Sequence, residues 1–244
     1  MTWHVPFRGR NASGRVDVNF LFQAGRTYVM DNHRLAPWCF WQHDQEADSW
    51  RLFHIDRHRD TADEGAPWPQ LVETQHRNSV EAFLSASDGS REIYPYDVVV
   101  TAPLLAEPGR IGLVYMATRD DGWLPRHTEE VDPWSLQWKL WYIVEKNEED
   151  KSDQRPWWVD LDLDYFTDLL HRPLIVDDQV RAIGRLLRRG LENGRIRLLT
   201  IALSPECTGD WTIAERLLDL VLESWPTDER PTLSFFDAEV SAGA

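Results

Sequence analysis

Apolar positions in this chain recur at two periods, and the two alternate along it. RVDVNFLFQ (Arg15 to Gln23) alternates apolar and polar residues as a strand does. RTYVMD (Arg26 to Asp31) follows after Ala24-Gly25, a turn or loop signal. WRLFHID (Trp50 to Asp56), RIGLVYMA (Arg110 to Ala117), WWVDLDL (Trp157 to Leu163) and IRLLTIAL (Ile196 to Leu203) are further strand-like runs. Helical stripes lie between them. RLAPWCFWQH carries Pro37 near its first turn. NSVEAFLSAS (Asn78 to Ser87) puts Val80, Phe83 and Leu84 on one face. Val180, Ile183, Leu187 and Leu191 recur at helical spacing, with Asp177 placed to cap the start and Gly194 past the end. A last stripe of Ile213, Leu217, Leu220, Val221 and Trp225 opens on Thr212 and Glu215 at capping-box spacing. The tracts 118–133 and 147–156 are polar or charged and read as loops. Strands alternating with amphipathic helices imply an α/β layer fold with a mainly parallel sheet, and in such sheets ligands gather beyond the carboxyl ends of the strands.

Composition narrows the picture. A chain of 244 residues can bury a substantial core, and residues 1–244 are expected to form a single domain. The two cysteines, Cys39 and Cys207, form no CxxC pair, which argues against a disulfide scaffold or a structural zinc cluster. Arg and Gly near the N-terminus interrupt any secretory apolar segment, and no apolar run approaches the roughly 18 residues of a membrane span. A cytoplasmic protein with no membrane contact is the expectation. The net charge of −15 disfavours nucleic acid and favours cationic ligands, either metal ions or a basic substrate. Thirteen Trp residues suit packing first, and an aromatic mouth for a peptide second.

Four polar clusters sit at predicted strand ends. Asp56, His58 and Asp60 stand at every second position of FHIDRHRD, and they converge on one side if the backbone stays extended. Arg57 and Arg59 then point to the opposite face. Two carboxylates and an imidazole suit manganese, iron or zinc, whereas a polar strand end in solvent is the bland alternative. Asp160, Asp162 and Asp164 share one face of WWVDLDLDYF, between flanks that read as buried. Carboxylates that close repel one another unless a cation lies between them. His33 follows the strand TYVM, and Glu206 follows the strand RLLTIAL in LSPECTGDW.

Taken in order, this upstream His, the D-x-H-x-D strand end, the later D-x-D strand end and the downstream Glu resemble the arginase/agmatinase (ureohydrolase) superfamily. Within it, MDNHRLAPWCFW, FHIDRHRD, WWVDLDLDYF and LSPECTG are most similar to the group containing the peptide arginases, which convert arginine residues of ribosomally made precursor peptides to ornithine. The resemblance spans roughly residues 15 to 225 and implies a three-layer arginase-like fold with a mainly parallel central sheet flanked by helices. It also implies two manganese ions and release of urea from a guanidinium group. His33 and Asp60 resemble ligands of the first metal, His58 a ligand of the second, and Asp56 the bridging aspartate. The D-x-D ligands have two registers, Asp160/Asp162 or Asp162/Asp164. The second lies nearer the strand end and is favoured, leaving Asp160 behind the metals. Glu206 resembles the glutamate that pairs with the guanidinium. Asp60 is the expected proton carrier, with His76 or His127 as a relay to solvent. The family's Gly-Gly-Asp-His is Met30-Asp31-Asn32-His33 here, and D-x-D-x-x-D-P continues without its proline. The loops that grip a free amino acid have no counterpart, which favours an arginine-containing precursor peptide over free arginine. A small-molecule ureohydrolase is the alternative, and a deacetylase-like amidohydrolase a more distant one. The oligomeric state is left open.

Overall fold

The computed structural model describes residues 1–62, 74–87, 92–121, 123–146 and 154–233. Its strands are β1 (Thr2–Val5), β2 (Leu21–Ala24), β3 (Thr27–Met30), β4 (Trp50–Ile55), β5 (Ile111–Ala117), β6 (Thr128–Glu130), β7 (Trp157–Asp162) and β8 (Ile196–Ala202). They form one eight-stranded sheet of order β1-β2-β3-β8-β7-β4-β5-β6. The pairs β1/β2 and β2/β3 are antiparallel and all others are parallel. Every residue of β4 and of β7 is buried, as expected for parallel strands covered on both faces.

The helices are α1 (Ala36–Trp41), α2 (Thr74–Asn78), α3 (Val80–Leu84), α4 (Thr101–Ala106), α5 (Leu136–Trp141), α6 (Asp177–Glu192), α7 (Pro205–Thr208) and α8 (Trp211–Leu222). They lie in two layers. Phe53, Ile55, Val159, Leu161, Leu199 and Ile201 pack with α5, α6 and α8. The intervening residues Leu52, Trp158 and Leu198 pack with α1, α3 and α4. The two-residue period of the strands thus divides one sheet between two cores, giving the three-layer α/β architecture. Because His54, Asp160, Asp162 and Thr200 share parity with Leu52, Trp158 and Leu198, their side chains fall on the α1 side. Among the described residues no helix is long and apolar enough to cross a membrane.

Several local expectations change. Only the end of the 15–23 run is strand. The N–H groups of Asn19 and Phe20 donate to the Asp31 carboxylate at 2.9 Å, so a side chain replaces a strand partner there. The tract 118–133 contains β6, a short polar strand on the sheet edge. Helix α8 is capped by Asp210, which accepts from Ile213 N–H at 2.8 Å, while Glu215 pairs with Arg10. Asp177 lies inside α6 after Val176 and pairs with Arg216. Residues 147–153 of the expected charged loop lie outside the described residues. The strand β1 and the helices α2, α4, α5 and α7 leave no clear pattern in the sequence, because they are short or sit in weakly periodic stretches.

Helices α6 and α8 meet where Gly184 faces Val221. A Cβ at position 184 would lie 2.1 Å from the Val221 carbonyl oxygen, and backbone cannot yield as a side chain can. Gly184→Ala is therefore expected to lower stability by about 1–3 kcal/mol through overpacking. Urea denaturation reads this directly, and an unchanged midpoint would contradict the close approach.

Candidate metal centre

The carboxyl ends of four neighbouring strands, β3, β8, β7 and β4, supply the polar residues. His33 opens a 3-10 turn (His33–Leu35) just past β3, capped by the Asn32 side chain, which accepts from Arg34 N–H at 3.0 Å. Asp56 directly follows β4 and is still bonded to β5, its N–H donating to the Ala117 carbonyl at 3.1 Å. Beyond it the chain turns. His58 N–H donates back to Asp56 Oδ1 at 2.7 Å, and Asp60 has φ of 48°. Asp56, His58 and Asp60 thus converge through a tight turn rather than through strand alternation. That turn also corrects the expectation for Arg57. Its side chain is buried, with Nη2 3.4 Å from Asp164 Oδ2, and it donates to the Cys207 carbonyl at 3.2 Å. Arg59 reaches outward to Glu130 at 2.7 Å.

Asp162 ends β7, and Asp164 lies in the 3-10 turn Leu163–Phe166. Oxygen atoms of Asp56, Asp162 and Asp164 lie within 4.8 Å of one another. Asp160 stands apart, one repeat back along the strand. It accepts from His33 Nε2 at 2.9 Å, His54 Nδ1 at 2.8 Å and Thr200 Oγ1 at 2.6 Å. The Thr200 hydroxyl in turn accepts from Trp158 Nε1 at 2.8 Å. A carboxylate behind a histidine fixes its tautomer and turns the other ring nitrogen outward. Here that nitrogen is His33 Nδ1, which lies 3.1 Å from Asp56, 3.0 Å from Asp60 and 3.3 Å from Asp162. A second group adjoins it, with His58 Nδ1 at 3.0 Å from Asp164 and 3.3 Å from Asp56. Asp56 belongs to both.

His33 Nδ1, Asp56 Oδ2 and Asp164 Oδ2 are buried without a hydrogen-bond partner. Orphaned atoms of this kind are costly unless a ligand meets them. Their donor set of imidazole nitrogen and carboxylate oxygen suits a divalent transition ion. The cluster therefore fits a metal.

The carboxyls of the cluster differ in how tightly they hold protons. Burial pushes the Asp60 carboxyl up to about 6, helped by the Asp56 charge. Burial also raises Asp162, with help from Asp164 and Asp56, and raises Asp164, with help from Asp56. Burial acts the same way on Asp56, but bonds to His33 and His58 outweigh it and hold that carboxyl well below its usual range. The His58 imidazole is driven up to about 11 by Asp164 and then Asp56.

Glu206 lies in α7 and lines a cavity of about 240 Å³ together with His33, His58, Asp60, Asp162 and Ser204. Its carboxylate accepts from Ser13 N–H at 2.5 Å and Gly14 N–H at 3.4 Å. Asp31 anchors that loop by accepting from the Ser13 hydroxyl as well as from Asn19 and Phe20. Ser204 has φ of 42°, in the left-handed region that strains a non-glycine residue, and its hydroxyl donates to Asp162 at 2.5 Å. His76 is not among the cavity-lining residues; its ring is bonded to the Tyr94 hydroxyl at 3.1 Å and buried in the α1-side core. His127 is exposed in a turn before β6. The structure brings neither histidine to the cluster. Sequence reasoning passed over His54, Thr200 and Ser204. Of these, His54 carried a signal, sharing strand parity with Asp56.

No protein-family model matches this chain, and no curated protein matches it in sequence. Among solved structures the chain is similar to a hypothetical agmatinase from Burkholderia thailandensis, at 14% identity and a TM-score of 0.48, covering 79% of this chain and 55% of that one. It is similar to proclavaminate amidino hydrolase from Streptomyces clavuligerus, at 15% identity and a TM-score of 0.42, covering 80% and 61%. It is similar to arginase from Bacillus caldovelox, at 10% identity and a TM-score of 0.44, covering 79% and 67%. The chain spans 55% to 67% of the length of these structures.

Asp56→Ala or Asp162→Ala is expected to abolish metal retention, read by elemental analysis after gel filtration. Asp160→Asn should keep the stoichiometry and weaken affinity by roughly 10–100-fold, the usual effect of losing the partner behind a ligand. Full retention in either alanine variant would overturn the assignment. Metal binding should also release protons. His58 titrates at about 11 in the metal-free protein, so at neutral pH it is charged and must lose a proton to ligate. Affinity should therefore rise with pH, about tenfold per unit for each proton released. Calorimetry in buffers of different ionisation heat counts those protons, and a count of zero would contradict this.

Proposed function

We propose that this chain hydrolyses the guanidino group of arginine side chains within a ribosomally made precursor peptide, leaving ornithine and releasing urea. The setting would be the cytoplasmic maturation of a peptide natural product. The observation that carries the reading is the shared cavity, in which Glu206 faces the same space as His33, Asp60 and Asp162. A substrate with a cationic head and a carbon to be attacked beside the cluster suits that arrangement. The order of the motifs along the chain supports the same chemistry.

Two manganese ions are the proposed cofactor. His33, Asp56, Asp60 and Asp162 would hold one, and Asp56, His58, Asp162 and Asp164 the other. Bound there, such ions supply acidified water and neutralise developing charge. Glu206 accepts two charge-assisted hydrogen bonds from the guanidinium and so points its carbon at the cluster. The loop carrying Ser13 and Gly14 orients that carboxylate. Asp60 takes the proton shed by the attacking water and returns it to the departing amine nitrogen, so guanidinium and water become urea and an alkylammonium. Asp160 and His54 keep His33 in place. Arg57 offsets the Asp164 charge.

Arg15 favours a second reading. It lines the same cavity and pairs with Asp97 at 3.0 Å, where the carboxylate of a free guanidino acid could replace Asp97. Manganese-loaded protein mixed with arginine-containing peptides, free arginine and agmatine separates the two. Loss of CN₂H₂ per arginine in the peptide mass, with matching urea, is the expected result. Intact peptides beside rapid turnover of a free guanidine would transfer the assignment to a small-molecule enzyme. Glu206→Gln should remove most activity, at least about a hundredfold if orientation by the charged pair is lost, while leaving metal content unchanged.

A further inference from the structure

Cys207 has no part in the chemistry above, yet it stands at the edge of the cluster. Its sulfur, a ring nitrogen of His58 and a carboxylate oxygen of Asp164 lie within 4.8 Å of one another. The backbone fixes it there. Cys207 N–H donates to the Ser204 carbonyl at 2.9 Å, and its own carbonyl accepts from Arg57 Nη2 and is bonded to His171 Nδ1, both at 3.2 Å. Asp164 is fully buried, and its Oδ2 makes no hydrogen bond although it lies 3.0 Å from His58 Nδ1 and 3.4 Å from Arg57 Nη2, so a carboxylate oxygen with a lone pair still unmet is directed into the same space. The His33 half of the cluster is different in kind, because His33, Asp56, Asp60 and Asp162 offer only nitrogen and carboxylate oxygen.

We propose that the two halves differ in softness, with Cys207 Sγ joining His58 and Asp164 as a ligand, so that this half prefers a thiophilic divalent ion such as zinc or cobalt in place of the second of the two manganese ions proposed above. The inference rests on the reading of the cluster as a metal centre. Thiolate and imidazole select zinc-like ions, whereas carboxylate-rich sites suit manganese. With Asp56 and Asp162 shared between the halves, His58, Asp164 and Cys207 are the donors that belong to this half alone. At zinc bond lengths of about 2.0–2.3 Å and tetrahedral angles, donors on one ion stand roughly 3.3–3.8 Å apart, so closing the group from within 4.8 Å takes a movement of about 1 Å or less. On binding, the Cys207 S–H bond breaks, the proton passes to solvent, and the sulfur lone pair is donated to the ion. No oxidant or reductant is required.

The test uses the full chain stripped by chelator and titrated with cobalt(II). A near-ultraviolet sulfur-to-cobalt charge-transfer band is expected in the unaltered protein. It should be missing from Cys207→Ser and Cys207→Ala, which still bind cobalt in the His33 half. Zinc affinity of the softer half should fall in both variants by more than the roughly 10–100-fold that disturbing an outer partner costs, with manganese affinity changed less. A thiol reagent gives an independent reading, because Cys39 is fully buried and Cys207 is the more accessible thiol. Zinc should slow its labelling. Cobalt bound without the band, with labelling unaffected by zinc, would overturn this inference and leave the metal centre standing. No retention of cobalt, zinc or manganese by the unaltered chain would overturn both.

Discussion

Asp56, Asp60, Asp160, Asp162 and Asp164 are all buried within one small region, and a buried carboxylate costs several kcal/mol unless something positive or donating meets it. The surrounding polar structure answers that constraint in graded ways. Asp160 is satisfied by His33, His54 and Thr200. Asp56 is flanked by His33 and His58. Asp60, Asp162 and Asp164 are not fully compensated, and their carboxyls hold protons more tightly than usual. The remaining deficit is cationic, which is what a metal would supply.

The sheet order makes the cluster physically attainable. Strand β7 lies between β4 and β8, with β3 beyond, so strands distant in sequence end side by side. Each is followed by a short turn, and the donors lie on those turns and on the last residues of β7. Because the strands are buried on both faces, the turns are anchored on rigid elements. The loop before β2 completes the cavity from the other side. It folds on Asp31, whose carboxylate takes the place of a strand partner for Asn19 and Phe20. The same loop bonds to Glu206, so the Glu206 side of the cavity depends on Asp31, just upstream of His33.

Strain concentrates at this junction. Asp60 and Ser204 both have positive φ, and both face the cluster. Aspartate tolerates that conformation better than serine, whose hydroxyl bond to Asp162 helps to hold it. Arg57 is a further consequence of the turn after β4. The strand ends at Ile55, so the alternation that would send Arg57 away from the site no longer applies. Its guanidinium instead balances Asp164.

Much of the layer architecture was legible in the chain itself. The period-two runs and amphipathic stripes define the main strands and helices, because burying one face of each element leaves a local pattern. The donors at strand ends were legible for the same reason, as acids flanked by buried apolar residues. Position within the cluster was legible only in part: nearness to the strand end favours Asp162 and Asp164 over Asp160, but not which residues each would meet. Asp160, Asp162 and Asp164 have identical spacing, and only the depth of β7 relative to β3, β4 and β8 sets one behind His33 and two beside Asp56. His54, Thr200 and Ser204 acquire their partners from other strands, while His76 finds Tyr94 instead of the cavity. The sequence alone determined that His33, His58 and the clustered aspartates lie at strand ends. The tertiary structure decided which of them meet, since meeting depends on strand order and on turns whose hydrogen bonds are made across the sheet.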